Sequence, residues 1–176
     1  MRKASINVRI KGQAPGLLMS RGVLEPSKAF EKMSREEQID SATYRSPEQK
    51  DGKHALCIPG SALQRALSKG CRAPIASCIL VDPEWIILTP QTYTIHSSLC
   101  VIHPTRECVT LPRCRPWFPE WEAGCTITYD DTMLTEEQLR RVVDNAGHNV
   151  GLMTFRPEKG GLFGRFVVVG WEPSTA

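Results

Sequence analysis

IPGSALQRALSKG, residues 58–70, sets Pro59, Gly60 and Ser61 directly before an apolar repeat at Leu63, Ala66 and Leu67. This pattern predicts a strand that turns sharply into a helix whose first N–H groups are uncovered. Uncovered amides at a helix start attract phosphate. Opposite Leu63 and Leu67, Ser61, Arg65, Lys69 and Arg72 recur at near-helical spacing, so a basic stripe grows from the end that offers the amides. An ordinary amphipathic helix carries the same pattern.

A second informative segment is FRPEKGGLFGRF, residues 155–166, in which Gly160, Gly161 and Gly164 lie among Arg156, Lys159 and Arg165, immediately before the β-rich run Phe166 to Val169. Glycines let a backbone approach a partner closely, and the cations favour an anionic one. A structural turn is the competing account. In order and spacing the two segments resemble the RAMP superfamily, the RNA-recognition-motif-like subunits of CRISPR effector complexes, and most of all the backbone subunit that polymerises along guide RNA. In that family a Pro-Gly-Ser-x-Leu helix start follows the first part of the fold and a glycine-rich loop with an arginine lies near its end. This sequence departs from the usual helix motif at Ala62, Gln64 and Arg65, where a second serine, a lysine and a glycine are common. The resemblance spans about half the chain and implies an RNA strand as ligand and copies of the same chain as neighbours.

Outward from these segments, Ile6, Val8 and Ile10 alternate with Asn7, Arg9 and Lys11, a strand with one basic face. Solvated surface charge is the commoner use of such a pair. Residues 20–53 read as a polar insertion, with a helix at Pro26 to Ile39 carrying Phe30, Met33 and Ile39, and a turn at SPEQKDGK. HALCI, Ser77–Val81, Trp85–Thr89 and Tyr93–Ile102 read as strands, broken by Asp82-Pro83 and Pro90. CTITY at 125–129 is a further strand. Thr135 then opens a helix with Gln138 as its capping-box partner, Glu136 and Glu137 at its positive end, and a buried stripe of Leu139, Val142, Val143 and Ala146. Phe166–Trp171 closes the domain. The order predicts one α+β domain over residues 1–176: a ferredoxin-like or RNA-recognition-motif-like antiparallel sheet, helices on one face, and inserted projecting segments.

Residues 103–124 combine Pro104, Pro112, Pro116 and Pro119 with Arg106, Arg113, Arg115, Trp117, Phe118 and Trp121. They read as a stiff projection rather than a strand, with guanidiniums for phosphates and aromatic faces for bases. By resemblance, the backbone subunit carries here a thumb-like hairpin that presses between guide bases and contacts its neighbour. Tryptophans folded back on the core are the alternative. Cys100-x2-His103-x4-Cys108-x5-Cys114 comes near a zinc-knuckle spacing, although free cysteines are more often small buried hydrophobes, which is how Cys57, Cys71, Cys78 and Cys125 read.

Composition sets limits around this. At 176 residues, 41% hydrophobic and 23% charged with a formal charge of +3, the chain permits nucleic-acid binding without requiring it. Seven cysteines without framework spacing, and a first segment MRKASINVRIKG that lacks an apolar stretch, point to a reducing, cytoplasmic setting. No apolar run approaches the ~20 residues of a membrane helix. His54, His96, His103 and His148 are scattered. Asp130-Asp131 read as carboxylates at a helix start, a Mg²⁺-dependent nuclease being the alternative. The expectation is therefore a non-catalytic protein, without cofactor, that binds single-stranded RNA or DNA and assembles in copies along it. The residues expected to touch the strand are Arg9, Lys11, Ser61, Arg65, Lys69, Arg113, Arg115, Trp117, Arg156, Lys159, Gly161, Gly164 and Arg165. A stand-alone phage-type single-stranded DNA-binding or annealing protein, and a protein-interaction subunit with exposed aromatics, are the alternatives.

Overall fold

The computed structural model describes residues 3–20, 32–50, 52–71, 75–102 and 109–174. In chain order the elements are β1 (Lys3–Gly12), β2 (Leu17–Leu18), α1 (Arg35–Asp40), β3 (Arg45–Lys50), β4 (Lys53–Pro59), α2 (Gly60–Gly70), β5 (Ile79–Asp82), β6 (Trp85–Thr89), β7 (Thr94–Ile102), β8 (Val109–Phe118), β9 (Glu122–Asp130), α3 (Glu136–Asn145) and β10 (Phe166–Pro173).

The alternation of the first segment becomes β1, with Ile6, Val8 and Ile10 buried and Asn7, Arg9 and Lys11 exposed. β1 lies between β10 and β9, antiparallel to both, and β5 pairs antiparallel with the far edge of β9. The strands β10, β1, β9 and β5 thus lie side by side, each antiparallel to its neighbour, with the last strand of the chain beside the first. β6 continues the path of β5 along β9, placing Leu88 opposite Ala123, and then carries β4 and β3 outward as a hairpin extension. The class is α+β with antiparallel sheets.

The core lies between this sheet and two helices. α2 contributes Leu63, Ala66 and Leu67, and α3 contributes Leu139, Val142 and Val143. Each fully buried leucine stabilises the domain by roughly 1.5–3 kcal/mol. Both capping-box bonds forecast for α3 are present: the Gln138 amide donates to Thr135 Oγ1 at 3.2 Å, and the Thr135 amide to Gln138 Oε1 at 2.9 Å. The helices approach closely at Gly70, where a Cβ would sit 3.0 Å from the Val142 carbonyl oxygen. Two glutamines act as substitute strands. Gln64 of α2 donates to the Ile79 carbonyl at 2.8 Å and accepts from the Val81 amide at 2.9 Å, satisfying the free edge of β5. Gln91 does the same for Leu56 of β4, accepting at 2.6 Å and donating at 3.0 Å.

A second sheet, β2–β8–β7, stands on this core. β7 and β8 form a long hairpin running from Thr94 opposite Trp117 to Ile102 opposite Val109. The expectation of a non-strand projection at 103–124 is corrected over 109–124, residues 103–108 lying outside the described residues. Prolines 112 and 116 sit within β8, Phe118 and Trp121 are fully buried, and Glu122 already belongs to β9. Trp121 turns inward because its indole rests on the Gly12 backbone, where a Cβ would lie 2.1 Å from Nε1, and its ring meets Phe166 edge-on.

Three further expectations change. The helix forecast at 26–39 is a short one over Arg35–Asp40 with a Ser34 capping box, and the part of the forecast before residue 32 lies outside the described residues. SPEQKDGK is mostly strand, β3, whose register shift between Arg45 and Gln49 accommodates Pro47 at the edge of the sheet. Residues 77 and 78 belong to a 3-10 turn that precedes β5. Among the described residues no helix is long and apolar enough to cross a membrane.

Candidate nucleic-acid interface

The two segments singled out in the sequence meet. The exposed flank of α2 and the loop that follows α3 form the walls of a groove of about 630 Å³, lined among others by Ser61, Arg65, Lys69, Arg156 and Glu158. α2 has no side-chain cap, so the first-turn amides of Ser61 and Ala62 open beside the groove. The Gly60 amide is not free, because it donates to the Glu84 carbonyl at 2.6 Å. Gly60 is required for that approach, since a Cβ would lie 2.5 Å from the Pro83 carbonyl oxygen.

The facing wall is built by an irregular run. α3 ends in a π-helical turn at Ala146–Val150, and Gly151, Met153 and Phe155 follow with φ of 72°, 60° and 53°. Left-handed backbone at two non-glycine residues is costly and is held by surrounding bonds. Arg156 supplies one, its Nη1 donating to the Met153 carbonyl at 2.8 Å. Its Nε and Nη2 each lie 2.9 Å from Glu158 Oε2, and Lys69 of α2 donates to Glu158 Oε1. Partial desolvation lowers the Lys69 ammonium below the usual lysine range, and repulsion from Arg65, Lys159 and Arg156 adds to it against the pull of Glu158. Four cations from two remote parts of the chain therefore share one neighbourhood. Glu158 was not among the expected site residues; its signal is a carboxylate two positions after Arg156.

The glycines expected to admit a ligand serve the loop itself. A Cβ at Gly161 would lie 1.8 Å from the Phe155 carbonyl oxygen, and one at Gly164 2.0 Å from that of Leu152. Both contacts are made by the protein's own backbone, and Gly164 additionally holds φ at 77°. Arg165 does not line the groove; its carbonyl accepts the Gln13 amide at 2.9 Å.

The remaining expected residues fall on two other surfaces. Arg9 and Lys11 are on the open face of the main sheet. Lys11 pairs with Glu122 at 3.5 Å, and Arg9 lies across from Gly124 on one neighbouring strand and Gly170 on the other, in a shallow depression shared with Asn7, Thr126 and Glu172. On the hairpin Arg113 is exposed, but Arg115 is buried, with Nη1 3.5 Å from Ser98 Oγ and its guanidinium 4.8 Å from the Phe155 ring centroid. Trp117 is half-buried; its Nε1 donates to the Pro15 carbonyl at 2.7 Å, and His96 meets its ring edge-on. Arg115 and Trp117 thus anchor the hairpin base to the core.

Asp130 is buried, and its carboxylate accepts from the amide and hydroxyl of Thr132 at 3.1 and 2.7 Å, which builds the turn before α3. Among the described residues no three His, Cys, Asp or Glu side chains cluster to hold a metal. Of the zinc-like set, His103 and Cys108 lie outside the described residues. Cys114 Sγ accepts from Arg35 Nη2 at 2.8 Å, and this bond, with one to Ser97, lowers its thiol below the usual range. Burial instead pushes Cys125 up to about 12 and Cys57 to about 11. No protein-family model and no curated protein sequence matches the chain.

Proposed function

We propose that the protein binds single-stranded nucleic acid along the groove between α2 and the loop at 151–164, without catalysing a reaction on it. The observation that carries this reading is the convergence of Arg65, Arg156 and Lys159 on Lys69 in the last turn of α2, whose uncapped start opens on the same groove. Cations supply sequence-independent attraction to phosphates, and helix-start amides add directed donors. The resemblance to guide-RNA-binding backbone subunits favours RNA over DNA. Among the described residues the free thiols of Cys57, Cys71, Cys78, Cys114 and Cys125 support a cytoplasmic setting.

A groove this short engages few nucleotides, so useful affinity at physiological salt calls for many copies along one strand. The β7–β8 hairpin is the arm proposed to reach the next copy. It leaves Ile95 and Leu99 exposed on its outer strand, Leu99 at 74% of its surface. Isologous closure does not serve a linear ligand; a repeated heterologous contact does.

Fluorescence anisotropy of labelled oligouridine and oligothymidine against salt tests the reading. If about three phosphates are neutralised, log Kd should change with log salt with a slope near 2, and Arg65→Ala with Lys159→Ala together should remove roughly 1.4 of it. Absence of binding by the wild-type protein at low salt, or an unchanged slope in the double variant, refutes the reading.

A further inference from the structure

Glu158 stands where a solvent-facing glutamate would not. Its side chain keeps only 20% of its exposure, turned into the groove, and cations hold both carboxylate oxygens, Lys69 on Oε1 and the Nε and Nη2 of Arg156 on Oε2. Among the described lining residues it is the single acid. Arg65 and Lys159 press on the same neighbourhood, and among the described residues neither has a carboxylate within ion-pair distance. The surplus of positive charge around one carboxylate is thus unneutralised.

A guanidinium edge that binds a carboxylate through two donors matches the non-bridging oxygens of a phosphodiester equally well. A phosphodiester also carries a single negative charge. We propose that the Glu158 carboxylate occupies the place of one backbone phosphate of the bound strand, and that ligand entry exchanges the one for the other. The inference rests on the reading of the groove as a nucleic-acid site. The structure leaves room for the exchange. The turn Pro157–Lys159 ends on Gly160, where a Cβ would meet nothing within 4 Å, so space is open on that side of the turn. Glu158 then acts as a resident competitor. It holds Lys69 and Arg156 in position while the groove is unliganded, and it sets a threshold that favours several phosphates in series over a single stray anion.

The test compares wild type, Glu158→Gln, Glu158→Asp and Glu120→Gln, the last a charge-matched change at an exposed residue outside the groove lining. Probes are labelled oligouridine, read by anisotropy, and inorganic pyrophosphate, read by titration calorimetry, with melting curves recorded for every variant. Glu158→Gln should bind both probes about five- to tenfold more tightly, the scale of one or two partly exposed charge pairs released. Glu158→Asp, retracted by one methylene, should gain about twofold, and supplies the test if the Gln variant fails to fold. Glu120→Gln should stay within about twofold of wild type. Unchanged or weaker binding of both probes by folded Glu158→Gln and Glu158→Asp overturns the exchange, even where wild type binds oligouridine. Tighter pyrophosphate binding in Glu158→Gln, with no oligouridine binding by any variant at low salt, overturns the strand reading and with it the exchange for a backbone phosphate, leaving Glu158 a competitor of free phosphate alone.

Discussion

Replacing Gly164 by alanine separates a loop shaped by its own backbone from one shaped for a ligand. The residue holds φ at 77°, and a Cβ there would sit 2.0 Å from the Leu152 carbonyl oxygen. That oxygen cannot retreat freely, because the Leu152 amide is itself fixed to the Gly164 carbonyl at 2.9 Å and the Gly164 amide to the Gly16 carbonyl at 2.8 Å. Left-handed backbone costs a non-glycine residue about 1–2 kcal/mol, and forcing an extra methyl into a packed site costs about 1–3 more. The sum, about 2–5 kcal/mol, lowers the melting temperature by roughly 4–20 °C at about 2–4 °C per kcal/mol for a chain of this size. Gly160 provides the comparison, since it shares the positive φ but has nothing within 4 Å of the added methyl. Gly160→Ala should therefore cost only the backbone term, about 1–2 kcal/mol or roughly 2–8 °C. Thermal unfolding followed by circular dichroism reads both. Equal melting temperatures for Gly164→Ala and wild type, or a larger loss in Gly160→Ala, would refute the reasoning.

Two further outcomes follow from the same geometry. The lowered pKa of Lys69 means that folding costs its charged form, so this residue's penalty is present at neutral pH and is relieved as pH rises through its folded value; strand binding has the opposite sign, because it needs the charged form. Affinity should thus decline at a pH below the ordinary lysine range, and Lys69→Arg, which stays charged, should abolish that decline in an anisotropy titration. Trp121→Ala, which empties the space between Gly12 and Phe166, should destabilise by about 3–5 kcal/mol in denaturant titration while leaving the salt slope of binding unchanged.

Legibility in the sequence followed the range of the interactions. β1, α2, α3 and β10 were readable because each carries a local period or a cap: Ile6, Val8 and Ile10 at every second residue, Leu63 and Leu67 at helical spacing, Thr135 and Gln138 as a box. The order of these elements is sufficient for the α+β class, whereas the meeting of the two basic segments is visible only in the folded chain. The hairpin strand β8 was not readable, because Pro112 and Pro116 argue against a strand and only pairing with β7 overrides them. Trp121 and Phe118 were misjudged for a related reason, since their burial depends on Gly12 and β2, remote in sequence. Cations and glycines at 155–166 were counted correctly but the glycines were assigned to a ligand, whereas the close approaches they permit are to Phe155 and Leu152. Glu158 escaped notice because its neighbours in sequence are cations, and which of them it serves is decided by a side chain on α2.

The amide side chains of Gln64 and Gln91 bear on how copies of this chain can meet. By occupying the Ile79 carbonyl and the Val81 amide, Gln64 blocks β5 against an incoming strand at its centre, and Gln91 likewise withdraws Leu56. Terminal strands open to an added strand are β10 and β3 in the larger described sheet and β2 and β7 in the smaller one. β10 and β3 lie at opposite ends of the larger sheet, so a strand paired at one margin leaves the other available.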